Sequence, residues 1–190
     1  MLKLSKLIDI FFATNNNHKV EEIYDIFIDN GIRIHKENIK GLEVQHDNLQ
    51  IISENSVKQA FQIIRKPVFV EDSGLFIHSL EEFPGPFSSY VFSKIGVRGI
   101  LKLLEGENNR AAEFRSVISY VDERGMVSFK GVVEGSIAEK ARGDKGFGFD
   151  PIFIPKSHEQ TFSELSLSQK NTISHRSKSS THLVNWLKST

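Results

Sequence analysis

The chain is 190 residues long with 24 basic and 24 acidic side chains, so no whole-molecule field draws it to nucleic acid or to a membrane surface, and phosphate chemistry would need a local cluster of charge. It contains no cysteine, which excludes a disulfide framework, a thiol nucleophile and a zinc-thiolate site and suits a cytoplasmic location. No apolar run approaches the roughly 20 residues that span a bilayer, and residues 1–190 carry no repeat, low-complexity tract or linker, the pattern of a single domain.

Met1 to Phe12 mixes lysines with apolar residues, runs straight into a polar loop and lacks a small-residue cleavage site, so it reads as a strand and not as a signal peptide. Its apolar part is Ile8 to Ala13. Val20, Ile23, Ile26 and Phe27 then share one helical face until Gly31 stops the helix. From Ser53 a second helix buries Val57, Ala60, Phe61 and Ile64, after which Pro67 opens the apolar strand Val68-Phe69-Val70, expected to end on Glu71-Asp72-Ser73-Gly74. Beyond Pro84-Gly85-Pro86 a helical stretch carries Ile100, Leu101 and Leu104. Ala112 to Val121 and Met126 to Ile137 make a long hairpin turned at Asp122 to Gly125. The glycine-rich segment Gly143 to Asp150 leads into Ile152-Phe153-Ile154, and a C-terminal helix is expected to bury Leu183, Trp186 and Leu187. Strands interleaved with helices predict a mixed α/β fold.

Four local patterns could carry chemistry. Thr14-Asn15-Asn16-Asn17-His18-Lys19 lies where a strand passes into a helix, so backbone N–H groups and the positive end of the helix could face an anion; an N-cap loop with a solvated lysine explains the same residues. The G-x-x-x-x-G-K-[ST] spacing of a P-loop is absent. Glu71 and Asp72 at a strand end suit a cation or an acid/base task, or a hydrated acidic turn. Lys170, His175 and Arg176 gather in a donor-rich run that precedes a helix, which reads equally as a solvated charge run. Phe147-Gly148-Phe149-Asp150 sets two aromatics and an acid on a backbone that lets a planar base approach and stack, or simply packs two core rings around a turn.

Read in order, the segments Phe12 to Lys19, Glu43-Val44-Gln45, Val70 to Gly74, Phe83-Pro84-Gly85, Gly146 to Phe153 and Ile173-Ser174-His175-Arg176 resemble the inosine/xanthosine triphosphate pyrophosphatase family, essentially end to end. The wording of Gly99 to Gly106 is similar to archaeal members. The resemblance implies an elongated α/β fold with a long twisted mixed sheet flanked by helices, a nucleotide cleft between two lobes, and a homodimer. It also implies site residues. Thr14, Asn16 and Lys19, within the loop that includes Asn15, Asn17 and His18, would hold the triphosphate, with Lys58 adding charge from across the cleft. Glu43 and Asp72 would bind Mg²⁺, and Asp72 would be the general base, supported by Ser73 and Glu71. Phe149 would stack on the base beside Phe147 and Gly148, and Lys170, His175 and Arg176 would contact its edge with Asp150 in the same pocket.

Four departures from the family pattern matter. Asn15 stands where glycine is common, Phe149 where many members have tryptophan, and Ser89 where relatives often place a basic residue, while residues 46–52 match no motif. The implied reaction is hydrolysis of ITP, dITP or XTP to monophosphate and pyrophosphate, with Mg²⁺ and lysines offsetting charge on the leaving group while Asp72 activates water. Donor-only Lys170 and Arg176 would bias the base pocket towards purine oxo groups. The alternatives are a regulatory module that binds a purine nucleotide without cleaving it, and a pyrophosphatase for other modified nucleotides.

Overall fold

The apolar runs assemble one mixed sheet in the computed structural model, which describes residues 7–39 and 44–190. Its strands are β1 (Ile8–Ala13), β2 (Ile32–Glu37), β3 (Val68–Ile77), β4 (Pro84–Gly85), β5 (Ala111–Asp122), β6 (Gly125–Ile137) and β7 (Phe153–Pro155). The helices are α1 (Asn17–Ile28), α2 (Leu49–Ile64), α3 (Ser88–Leu103), α4 (Leu167–Ile173) and α5 (His175–Ser189). The strand order is β2-β1-β3-β5-β6-β7, with β4 pairing beside β3. β1 runs parallel to β2 and β3, whereas β3–β5, β5–β6 and β6–β7 are antiparallel. Met1 to Lys6, and Glu43 with its neighbours 40–42, lie outside the described residues. Among the described residues no helix is long and apolar enough to cross a membrane.

Alternation along β3 and β5 divides the side chains between two faces. On one face, Phe69, Ile118 and Tyr120 join Phe12, Phe27 and Leu183 in a core under α1 and α5, where the Phe12 and Phe69 rings stack 4.4 Å apart. Further along that face, Leu75, Ile77 and Phe114 join Ile100, Phe149, Phe153 and Phe162 in a second core. Each fully buried ring or aliphatic chain contributes about 1.5–3 kcal/mol relative to exposure. On the opposite face α2 covers Val68, Val70 and Val121 with Val57 and Ala60, and Leu49 packs on Phe76 and Val117.

Three expected boundaries move. β3 does not stop at the paired carboxylates but continues to Ile77, so Glu71 and Asp72 sit in mid-strand, because ten consecutive residues find partners on β5. α2 starts at Leu49, capped by the Asn48 side chain, and this places part of the unmatched stretch 46–52 in its first turn. Lys170 is itself helical, on α4, while His175 and Arg176 open α5; Trp186 is only partly buried.

Candidate active site

β1 pairs with β3 only at Val68 and Phe69, and β4 covers β3 only at Leu75 and Phe76. Among the described residues the edge of β3 between them is open, at the carboxyl end of β1, where the neighbours of a strand diverge and α/β sheets characteristically hold ligands. Within this stretch the two apolar cores on the α5 face are interrupted by a polar seam. Glu71 and Ser73 come from β3, and Ser116 lies in register with Ser73 on β5. Asp72 alternates to the other face, the one covered by α2, so neighbouring carboxylates point to opposite sides of the sheet.

Four elements fill the seam with charge. Lys19 Nζ on α1 donates to the Glu71 carbonyl at 2.6 Å and pairs with Glu71 Oε2 at 2.9 Å. One turn later Glu22 accepts from Lys170 Nζ at 2.6 Å and from Arg176 Nη1. Lys170 also donates to Asp150 Oδ2 at 2.6 Å. Arg176 Nη2 donates to Ser73 Oγ at 2.8 Å, and its Nε lies 3.1 Å from Glu71 Oε1, to which Ser116 Oγ donates at 2.7 Å. Lys170, Arg176, Glu22, Glu71 and Asp150 are all buried. The charge run near the C-terminus is therefore an internal network and not a solvated surface.

Local sequence explains how the pieces reach one another. Ser174 caps α5 by accepting from the Ser177 N–H, which puts Arg176 in the first turn, at the positive end of the helix dipole; Glu71 and Glu22 offset that unfavourable placement. β6 lets this turn settle onto the sheet because Gly131 has no Cβ, which would stand 2.0 Å from the His175 carbonyl oxygen. Gly146 adopts φ +73°, and a Cβ there would lie 2.1 Å from Asp150 Oδ2, the atom that accepts from the Phe147 N–H at 2.9 Å.

Electrostatics follow from burial and pairing. Burial alone would raise the Glu71 carboxyl, but the Arg176 and Lys19 charges and the Ser116 hydroxyl outweigh it and hold it far below the ordinary carboxylate range. Burial likewise opposes ionisation of Glu22, and Arg176 and Lys170 again win, leaving it lowered. For Asp150 burial prevails over Lys170, and the carboxyl is raised.

His175 is buried with its ring stacked 4.7 Å from that of Phe114, and burial, followed by the Arg176 charge, pushes the imidazole well below its ordinary 6.5. It is neutral when folded and takes a proton when unfolded below about 6.5. Stability should therefore fall as pH drops through that value, by up to about 1.4 kcal/mol per pH unit. Between pH 7 and 5, above the range in which the depressed glutamates contribute, the thermal midpoint of wild type should decline more than that of His175→Gln; parallel declines would remove His175 as the cause.

Several expected roles change on this geometry. Phe149 is 3% exposed and meets Phe92 edge-on in the core, so its face is not open to a base. Phe147 is the half-buried ring, with His18 stacked at 5.2 Å and Lys170 and Arg176 at 5.3 and 5.4 Å from its centre. Glu22 and Asp150 set carboxylate acceptors beside the donors of Lys170 and Arg176. His175 packs against Phe114 and contributes no charge at neutral pH. The α1 N–H groups of His18 and Lys19 are taken by the Asn16 side chain, and Thr14 Oγ1 accepts from the Asn16 N–H, so the loop is at least an N-cap. Asn15 and Asn17 are exposed, and Lys58 is exposed on α2. Glu43 lies outside the described residues.

Sequence reasoning missed Glu22 and Ser116. Nothing in a single sequence separates Glu22 from its exposed neighbour Glu21, and Ser116 reads as one more small residue of a strand. Two surface cavities, about 540 Å³ beside His78, Glu113 and Lys156 and about 310 Å³ beside Leu49, Arg115 and Lys130, share none of the expected site residues. The seam itself is closed by its own ion pairs.

The model of the Ham1 family matches residues 10–186. The chain is 47% identical over 179 residues to a dITP/XTP pyrophosphatase of Hyperthermus butylicus, covering 94% of each chain. It is 41% identical over 188 residues to a dITP/XTP pyrophosphatase of Saccharolobus solfataricus, covering 98% of this chain and 97% of the relative. Its fold matches the Staphylococcus aureus Ham1 protein with a TM-score of 0.83 at 28% identity, over 95% of this chain and 98% of that one. A HAM1 protein from Coxiella burnetii gives 0.79 at 31% identity, over 96% of this chain and all of that one, 100%.

Proposed function

The chain belongs to the Ham1 family, and on that premise we propose that it hydrolyses the non-standard purine nucleoside triphosphates dITP, ITP and XTP to the monophosphate and pyrophosphate. The observation that carries the reading is the open edge of β3, where Lys19 and the Glu22–Lys170–Arg176 network lie on one side and Asp72 on the other. A nucleotide lying along this edge would bring its base to Phe147 and its phosphates towards Lys19 and Asp72. Asp72 is the general base that takes the proton of the attacking water at the α-phosphorus. Thr14, Asn16 and Lys58 are the remaining candidates for holding the triphosphate.

Base choice follows from the mixture of donors and acceptors. Hypoxanthine and xanthine present a 6-oxo acceptor and an N1–H donor, which complement Lys170 or Arg176 and a carboxylate of Glu22 or Asp150 respectively. Adenine inverts both positions. A buried polar group left without a partner costs about 1–3 kcal/mol, or roughly 5- to 150-fold in kcat/KM. Lys170 spends two of its three N–H donors on carboxylates and keeps one for the base.

Mg²⁺ is the cofactor this reading requires. Among the described residues no group of three or more His, Asp or Glu side chains converges as a cage, and Glu71 is committed to Lys19 and Arg176. Asp72 together with substrate phosphate oxygens is a donor set of the kind that holds Mg²⁺, which commonly takes one or two carboxylates plus phosphates; Glu43 would be the second carboxylate. Bound there, the ion supplies charge that stabilises the pyrophosphate leaving group.

The same proposal includes a homodimer and a cytoplasmic location. Phe83, Phe87, Tyr90, Phe92 and Ile95 are exposed around the start of α3, a concentration of apolar surface that suits an interface between copies of the chain. Light scattering should return twice the chain mass.

Incubating the purified protein with dITP, XTP, GTP and ATP, with and without Mg²⁺, tests the reaction directly. Ion-exchange separation should find monophosphate and pyrophosphate from dITP and XTP, and only with the divalent ion. Orthophosphate accompanied by a diphosphate product would refute it. Tight binding without turnover of any nucleotide would favour a regulatory module instead.

A further inference from the structure

Among the described residues Glu71 is the one group that touches both ends of the seam. Its side chain is enclosed, with one carboxylate oxygen 2.9 Å from Lys19 Nζ and the other 3.1 Å from Arg176 Nε. Ser116 Oγ donates to the second oxygen at 2.7 Å and is itself 2.9 Å from Ser179 Oγ on α5, so the carboxylate is oriented from behind by a buried hydroxyl pair. The Glu71 carbonyl oxygen also accepts from Lys19 at 2.6 Å, which fixes the lysine against the open strand edge. Asp72 is the next residue on the same strand, facing the other way. Arg176, Glu71 and Lys19 thus form one chain of contacts that runs from the first turn of α5 to the open edge of the strand carrying Asp72.

We propose that Glu71 is a positioning residue that couples recognition of the purine base at Arg176 to placement of the triphosphate at Lys19, so that an incorrect base is rejected in the chemical step as well as in binding. The inference rests on the pyrophosphatase reading above. A base that fails to engage Arg176 leaves the guanidinium, and through Glu71 the ammonium of Lys19, away from the geometry the phosphates require. Only a residue contacting both cations can transmit that difference. Glu22 also holds Arg176, but its second cation is Lys170, in the base pocket itself.

Saturating turnover of ITP and ATP provides the test, in wild type, Glu71→Gln and Ser116→Ala. Glu71→Gln keeps the shape and an acceptor for Ser116 but removes the charge that holds both cations. In wild type the kcat ratio of ITP to ATP should be at least about tenfold. In Glu71→Gln it should collapse to within about twofold of unity while discrimination in KM persists. A residue that merely supports the fold would lower kcat for both nucleotides by one factor and leave the ratio unchanged, which would overturn the proposal. Should Glu71→Gln not fold, Ser116→Ala carries the test, because it frees the carboxylate without removing its charge. There the ratio should fall at least about threefold, and an unchanged ratio overturns the coupling. A wild-type kcat ratio near one also overturns it. If wild type releases no pyrophosphate from either nucleotide, the function reading fails and the coupling with it; pyrophosphate release with an unaltered ratio defeats the coupling alone.

Discussion

Asp72→Asn should lower kcat for dITP at least about 100-fold with little loss of stability. The amide keeps the shape of the carboxylate at a position in mid-strand, in register with Val117, and the ten-residue pairing of β3 with β5 holds the backbone in place. On the proposed mechanism it removes a proton acceptor and a negative charge for the metal. Glu71 cannot take over, although it is the adjacent residue. It lies on the other face, its oxygens are engaged by Lys19, Arg176 and Ser116, and its carboxyl is held far below the ordinary range, which makes it a poor base. Raising Mg²⁺ should not rescue the variant, because the lost function includes the proton transfer. Retention of more than about a tenth of wild-type kcat at saturating Mg²⁺ would move the base elsewhere, with water activated by the metal alone as the nearest substitute.

How much of this was legible in the sequence depends on what each residue is asked to do. The strand at Ile8, the apolar start of β3 and the long hairpin announce themselves because buried strands need apolar runs and turns need Asp or Gly. β2, read as Ile-Arg-Ile-His-Lys-Glu, escapes notice because it is an edge strand with largely accessible side chains, so its polar content resembles a loop. α4 is seven residues long, too short for periodicity to declare it. The continuation of β3 past two carboxylates is hidden for a different reason. Burying Glu71 is unfavourable unless cations arrive from distant segments, and Lys19 lies 52 residues away along the chain, beyond α2, while Arg176 lies beyond the whole β5–β6 hairpin. Phe147 and Phe149 differ by two residues across a glycine, and single-sequence reasoning cannot say which ring turns inward. The family motifs singled out Lys19, Glu71, Lys170 and Arg176, which the fold brings together; the part Glu22 plays in neutralising them became visible only in three dimensions.

Arg176→Ala should combine a large loss of stability with a loss of base selection. The side chain is 3% exposed and serves Glu22, Ser73 and Glu71 at once. Its removal leaves two buried carboxylates with only Lys170 and Lys19 to compensate them, and breaking a buried ion pair from one side costs about 3–5 kcal/mol. For a chain of this size that corresponds to a drop of roughly 6–20 °C in the thermal midpoint. The pH dependence identifies the cause. Because Arg176 holds Glu71 and Glu22 below their ordinary 4.5, the stability it contributes is present above that value and is lost as pH falls towards the depressed folded values. The gap between wild type and variant should thus be widest near neutrality and narrow below about pH 4.5. For the variant that remains folded at lower temperature, KM for dITP should rise and the dITP advantage over ATP should shrink, since the fork that presents donors beside Phe147 is gone. Arg176→Lys should recover part of the stability but little of the selection, because an ammonium supplies the charge without the planar fork. A midpoint within about 2 °C of wild type at pH 7, with nucleotide ratios unchanged, would mean that the Glu22 and Glu71 pairs are not what holds the seam closed.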